Sequence, residues 1–258
     1  MRRIGVPIMA LVLVACAGSA GTESTTTSQL ATTTTGSGST TTSESSSTTT
    51  EMPTSTTSTT SIIDSPDLPG EPIEFGPTAG QTVAVVGIAS NDVLNLRAIP
   101  GADQAVLEGI PPLYDSLTAL GETRELPQSL WIAVEYEDEV GWVNLRYIAY
   151  LGATTDATES VLQELGTSPA AETIEGLGSI VVETFTSEDP VSEVVIADSQ
   201  ATGSLGEVTY DVLGLGDDSV RGVRVRVEGT PYSGGFTLHG VEMTALCARG
   251  VTDDGVCI

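Results

Sequence analysis

The chain contains no lysine, and its nine cationic side chains are all arginine, set against 35 carboxylates. Schiff-base chemistry, the Ser-x-x-Lys nucleophile and the phosphate-loop cradle each need an amine at a fixed place, so those functions are excluded. Imidazole is nearly as scarce. His239 is the only histidine, which rules out a zinc site built on two imidazoles and any His-Glu-x-x-His motif. A Gly-x-Ser-x-Gly elbow is also missing, because Gly203-Ser204-Leu205-Gly206 lacks the first glycine in register. Gly214-Leu215-Gly216 leads into Asp217-Asp218, whose charge repels phosphate, and so reads as a turn. The expectation is therefore a non-enzymatic protein with no cofactor and no metal, in which His239 is a surface or packed residue. A formal charge of −26 also argues against a nucleic-acid partner.

Long apolar runs are absent as well. The one from Ile4 to Ala15 spans about twelve residues, too few to cross a hydrocarbon core of roughly 30 Å. Preceded by Arg2 and Arg3, it has the build of a secretory signal over residues 1–15. It closes on Leu13-Val14-Ala15-Cys16, which resembles the lipobox of bacterial lipoproteins. The resemblance implies cleavage before Cys16 and acylation of its thiol, anchoring the chain on the extracytoplasmic face of the cell membrane. An ordinary signal cut after Ala17 is the alternative; the complete four-residue match at the expected depth favours the lipobox. Loss of Arg2 and Arg3 takes the charge from −26 to −28, seven Arg against 35 acids. Anionic headgroups repel so acidic a chain, so the membrane must hold it by covalent lipid.

Residues 16–80 read as a stalk and lead-in. From residue 17 to about 63 nearly every position is Thr, Ser, Gly or Ala, a composition that cannot bury enough surface to offset its ordering entropy. A disordered coil of about 47 such residues spans roughly 35 to 40 Å. A bare tether and a stalk O-glycosylated on runs such as Thr48-Thr49-Thr50 fit this composition equally. Pro66, Pro69, Pro72 and Pro77 then block helix in an extended lead-in.

Residues 81–151 carry a second resemblance. Leu94-Asn95-Leu96-Arg97 with Pro100-Gly101, then Val106-Leu107-x-Gly109-Ile110, Trp131-x-x-Val134, Gly141-Trp142-Val143 and Tyr147-Ile148 follow in order. Together they resemble a bacterial Src-homology-3-like domain. The resemblance implies a small β-barrel that binds peptidoglycan peptides or other envelope ligands. Pro111-Pro112 replaces the family's Lys-Gly turn, and Gly121 to Ser129 reads as a longer hairpin, so ligand specificity does not carry over. Period-two alternation between turn clusters independently indicates an all-β barrel. Glu137-Asp138-Glu139 lacks calcium-loop spacing and reads as a solvated hairpin tip.

The chain has only eleven aromatic residues, and six lie here: Tyr114, Trp131, Tyr136, Trp142, Tyr147 and Tyr150. Small domains need large side chains in the core, which assigns Trp131 and Trp142 to packing. Tyr114, Tyr136 and Tyr147 are the candidate ligand-binding residues, since tyrosine offers a face and a hydroxyl.

A hinge is expected at Gly152 to Thr155, followed by an α+β domain over 156–258 with two short helices and an antiparallel sheet. Asp156-x-x-Glu159 has capping-box spacing for a helix stopped by Gly166, and Ser168-Pro169 reads as the start of a second, closed by Gly176 and Gly178. Strands are expected over 179–186, 193–197, 207–213, 220–228 and 236–246. Arg224 and Arg226 share a strand face opposite Val223, Val225 and Val227. Cross-strand pairing with Asp211 or Glu242 is the favoured reading; an anion-binding site is the sharper alternative. With Cys16 acylated, Cys247 and Cys257 form an even pair and a predicted disulfide. The ending from Leu246 to Cys257 is similar to those of actinobacterial lipoproteins, with no activity attached.

The fold class expected is mostly β, a barrel followed by an α+β domain after a disordered stalk. The function expected is a lipid-anchored envelope protein whose binding module takes peptidoglycan or an envelope protein. Its rivals are a wall hydrolase or transpeptidase with an unrecognised catalytic domain, and an accessory subunit of an envelope complex.

Overall fold

The computed structural model describes residues 67–202 and 205–258. Cys16, the signal and the Thr/Ser-rich stretch lie outside the described residues. The chain runs β1 (Glu71–Ile73), β2 (Thr82–Val85), β3 (Leu94–Arg97), β4 (Val106–Ile110), β5 (Leu117–Leu126), β6 (Ser129–Tyr136), β7 (Glu139–Asn144) and β8 (Ile148–Asp156). It continues through α1 (Thr158–Leu165), β9 (Ala170–Ala171), α2 (Ile174–Val182), β10 (Glu193–Thr202), β11 (Leu205–Leu213), β12 (Val220–Tyr232) and β13 (Gly235–Cys247). Among the described residues the protein is thus mostly β with two α-helices, and the strands pair antiparallel in the order β10-β11-β12-β13-β8-β2-β5-β6-β7-β3-β4.

Strand β8 is the joint of this order. Its first residues pair with β2, Ile148 opposite Val85, and its last pair with β13, Asp156 opposite Glu242. Residues 152–155, expected as a hinge, are therefore continuous strand. Gly152 is what permits it, because a Cβ there would stand 2.7 Å from the Gly255 carbonyl oxygen, on the chain end that covers this strand. The lead-in also joins the packed unit earlier than expected: β1 pairs with β5, and Leu68 is buried with Trp131 and Trp142.

The N-terminal half packs Val83, Leu96, Ile110, Leu117, Ile132 and Val143 into one core. Both tryptophans are buried, as their size requires. Residues 121–129 do not form a long loop. Strand β5 runs through Gly121 at φ 82° with a register shift beside it, and Pro127-Gln128 alone make the turn into β6.

In the C-terminal half the expected capping box does not form: Asp156 accepts the Thr158 amide at 2.8 Å, but the N-cap position of α1 is Ala157 and Glu159 accepts from Gln163, while Gly166 ends the helix at φ 71°. The second helix begins later than Ser168-Pro169 suggested. Pro169 instead offers its carbonyl to Leu238, Ala170–Ala171 pair with β13, and Thr173 caps α2 by accepting from the Gly176 amide. Gly176 and Gly178 lie inside that helix, and residues expected as strand from 179 finish it and the 3-10 turn Glu183–Phe185. Gly178 sets the packing distance, since a Cβ would sit 2.5 Å from the Tyr210 ring. Leu177, Val181 and Val182 thereby bury the valine face of β11 and β12, as the alternating pattern required.

The two halves meet on buried polar contacts. Arg224 donates from Nε to Asp211 Oδ1 at 2.8 Å and from Nη2 to Oδ2 at 3.1 Å. The same Nη2 reaches the Val85 carbonyl at 2.8 Å, and the Gly87 amide donates to Asp211 Oδ2 at 2.8 Å. Asp211 is 1% exposed, so this pair is a lock between β11–β12 and the end of β2. Around it Val86, Ala149, Leu213 and Leu246 form a small apolar cluster.

A disulfide joins Cys247 to Cys257, and Cys247 is buried in the N-terminal core. The chain end so held delivers the Gly255 carbonyl to the Ala153 amide at 2.8 Å. On the chain-entropy account, Cys257→Ser should lower unfolding stability by roughly 3 kcal/mol, read by urea denaturation. Asp211→Asn keeps the shape but strands the Arg224 charge. It should cost about 3 to 5 kcal/mol, far more than Glu193→Gln at the exposed Arg146 pair, and equal losses would show that the lock is not buried.

Candidate functional site

A groove of about 840 Å³ opens along the seam between the halves. The turn Pro127-Gln128, the segment Asn144 to Tyr147, the end of β11 and the bulged start of β12 shape its walls. Half-buried Leu126 and Leu130 and buried Leu213 line it, and at its edge stand Phe75 and Val191, 54% and 82% exposed. Such large apolar side chains left in water mark a surface suited to an apolar partner. The polar lining includes Asn144, Arg146, Glu193 and Arg221.

Local geometry fixes these polar groups. Asn144 accepts the Arg146 amide at 3.0 Å and caps the 3-10 turn Leu145–Tyr147. Arg146 then extends over the Tyr147 ring, 5.8 Å from its centroid, and binds Glu193 at 2.7 Å, which raises its pKa. Arg221 sits deeper. Its Nη1 donates to the carbonyls of Leu145 and Arg146, each at 2.7 Å, and burial followed by the nearby Arg146 charge lowers its pKa. A smaller hollow of about 290 Å³, lined by Arg97, Asp92 and Trp131, shares Asn144 and Tyr147 with the main groove.

Of the three tyrosines expected at a ligand surface, Tyr147 alone lines this groove. Tyr136 is 7% exposed and meets Tyr114 edge-on, ring centroids 4.8 Å apart, against the N-terminal core. Burial, then Glu137, pushes the Tyr136 pKa up. The aromatic scarcity explains the misassignment: with so few large side chains, tyrosines are drawn into packing beside the tryptophans. Glu137, at φ 54°, and Asp138 make the expected hairpin tip between β6 and β7.

Arg224 and Arg226 do not present a free cationic patch. Arg224 is consumed by Asp211, its partner across β11 and β12. Arg226 contacts Glu207 at 2.6 Å, Glu228 at 2.8 Å and Glu242 at 2.9 Å, and hydrogen bonding by Glu207 foremost raises its pKa. Three carboxylates around one guanidinium would repel an anion. Arg221 could not be found by alternation, since period two puts it on the valine face; a register shift between Val220 and Gly222 turns it to the groove instead.

His239 is exposed on β13, beside Asp156, Glu228 and Glu242 at a shallow hollow of about 330 Å³. Among the described residues no three His, Cys, Asp or Glu side chains converge where a metal ion could be held, and no helix is long and apolar enough to cross a membrane. Compared with known proteins, the chain matches no family model, no curated sequence and no solved structure.

The assignment of the tyrosines can be checked directly. Tyr136→Ala should cost about 3 to 5 kcal/mol of stability, because a large buried ring is removed from a small core. Tyr147→Ala should cost well under half of that, as read by thermal and urea unfolding.

Proposed function

We propose that this chain is a lipid-anchored envelope protein that binds wall-derived or envelope peptides in the seam groove. Acylated Cys16 holds it at the extracytoplasmic face of the membrane, and the stalk sets the folded unit away from the lipid. The N-terminal half is a Src-homology-3-like module, a reading supported by the ordered motif blocks and by short antiparallel strands around one core. The observation that carries the binding function is the groove itself, with exposed Phe75 and Val191 above Arg146, Arg221 and Tyr147. Apolar anchors beside fixed hydrogen-bond donors suit a peptide better than a sugar polymer or a nucleotide. No residue set in the groove pairs a nucleophile with a base, so the reading is recognition without chemistry.

The test is retention on insoluble peptidoglycan of the chain produced without residues 1–16. The wild-type form should sediment with the wall. Phe75→Ala should weaken retention by roughly 1 to 2 kcal/mol with little change in melting temperature, since that ring is half in water. No retention at any salt concentration would remove the wall reading and favour an accessory role in an envelope complex. For the anchor, Cys16→Ser should release the protein from membranes or block its processing.

A further inference from the structure

Charge pairing in this chain is nearly complete on the cationic side. Of the seven arginines among the described residues, five have a carboxylate within 4 Å: Arg124, Arg146, Arg224, Arg226 and Arg249. Arg97 and Arg221 do not, although acids outnumber arginines several-fold. Each lines one of two hollows that have residues in common. Arg97 gives Nη1 to the Gln104 carbonyl and lines the small hollow; Arg221 lines the main groove, and the two hollows share Asn144 and Tyr147.

Arg221 is the better placed of the two to read a ligand. Two backbone carbonyls hold its Nη1, which fixes the guanidinium plane. Its Nε and Nη2 have no acceptor among the described residues, yet they are not buried: the only buried side-chain polar atom without a partner is Thr123 Oγ1. Those two N–H groups are therefore oriented and not wholly closed off from solvent. The Nε and Nη2 edge of a guanidinium is the edge that grips a carboxylate with two parallel hydrogen bonds. Desolvation and the neighbouring Arg146 both disfavour its charge, a strain that an incoming anion would relieve. A multiply charged group such as phosphate is disfavoured by Glu125, which also lines the groove, and by the strongly acidic chain around it, Glu193 being already paired with Arg146. A single carboxylate next to small apolar side chains fits both the guanidinium and the lining of Leu126, Leu130 and Leu213.

We propose that Arg221 is the specificity residue of the groove and binds the free C-terminal carboxylate of a peptide whose last side chains are small and apolar. This rests on the peptide-binding reading above and narrows it to chain ends. Internal segments of a cross-linked polymer are then poor ligands, and uncross-linked stems are good ones.

The test is calorimetric titration of the chain lacking residues 1–16 with diacetyl-Lys-D-Ala-D-Ala, a blocked wall-stem fragment whose terminal carboxylate is its only charge, as the free acid and as its C-terminal amide. The acid should bind, and the amide should bind roughly tenfold more weakly or worse, as expected for loss of a bidentate charge-assisted pair. Because both titrations use the unaltered chain, no folding defect can intrude. Arg221→Gln should bring the acid down to the level of the amide and leave the amide unchanged, whereas Arg226→Gln should alter neither. Equal affinity for acid and amide would overturn carboxylate recognition while leaving peptide binding in place. If neither peptide binds but the protein still sediments with insoluble peptidoglycan, the groove assignment is wrong and the wall reading stands. Failure of both peptides and of sedimentation would end both.

Discussion

One buried ion pair holds the two halves of this protein in register. Asp211 and Arg224 face each other across β11 and β12, where a surface pair would contribute little. Here the carboxylate is almost wholly withdrawn from water, and its oxygens are satisfied by Arg224 and by the Gly87 amide from the other half. The guanidinium in turn reaches the Val85 carbonyl. A desolvated pair is stable only when such extra bonds complete it, so neither half can supply this environment alone. Gly87 is part of the arrangement, because its φ of 66° suits glycine and a Cβ would lie 2.8 Å from Leu213 Cδ1.

The groove follows from that lock. With β12 fixed against β2, Arg221 three residues before Arg224 is carried to the Leu145 and Arg146 carbonyls. The 3-10 turn that presents those carbonyls also raises Arg146 and Tyr147 to the rim, where Glu193 from β10 closes the far side. Phe75 from the N-terminal half therefore meets Val191 and the acid-free Arg221 from the C-terminal half only because the seam is closed. The disulfide acts in the same direction, since Cys247 sits in the N-terminal core while its partner ties down the strand-covering end.

Much of the fold was legible from local pattern. Valines alternating through β11 and β12 and the Gly166 stop are signals carried by a few adjacent residues, and they describe what forms. The helix start was misplaced because Ser168-Pro169 is as good a local signal as Thr173; the choice was made by β13, which takes Pro169 and Ala170–Ala171 into its ladder. Residues 152–155 looked like a hinge by composition, with Gly152 and small polar neighbours, but pairing with β13 overrides composition. The site was less legible for a related reason. Tyr136, between Glu135 and Glu137, is buried, whereas Tyr147, beside Arg146, reaches the groove, so polar neighbours in sequence do not mark the exposed tyrosine, and the bulge that redirects Arg221 leaves no mark on the alternation.

Both halves fold as one unit because each completes the other's buried polar groups. Trp131 and Trp142 are both in the N-terminal half, so their fluorescence reports that half alone, while hydrogen exchange of the β11 and β12 amides reports the other. Followed together through a urea titration, the two signals should change at one midpoint, as a single cooperative transition requires. Two separated midpoints, with the tryptophans and the β11–β12 amides released independently, would show instead that each half folds without the other.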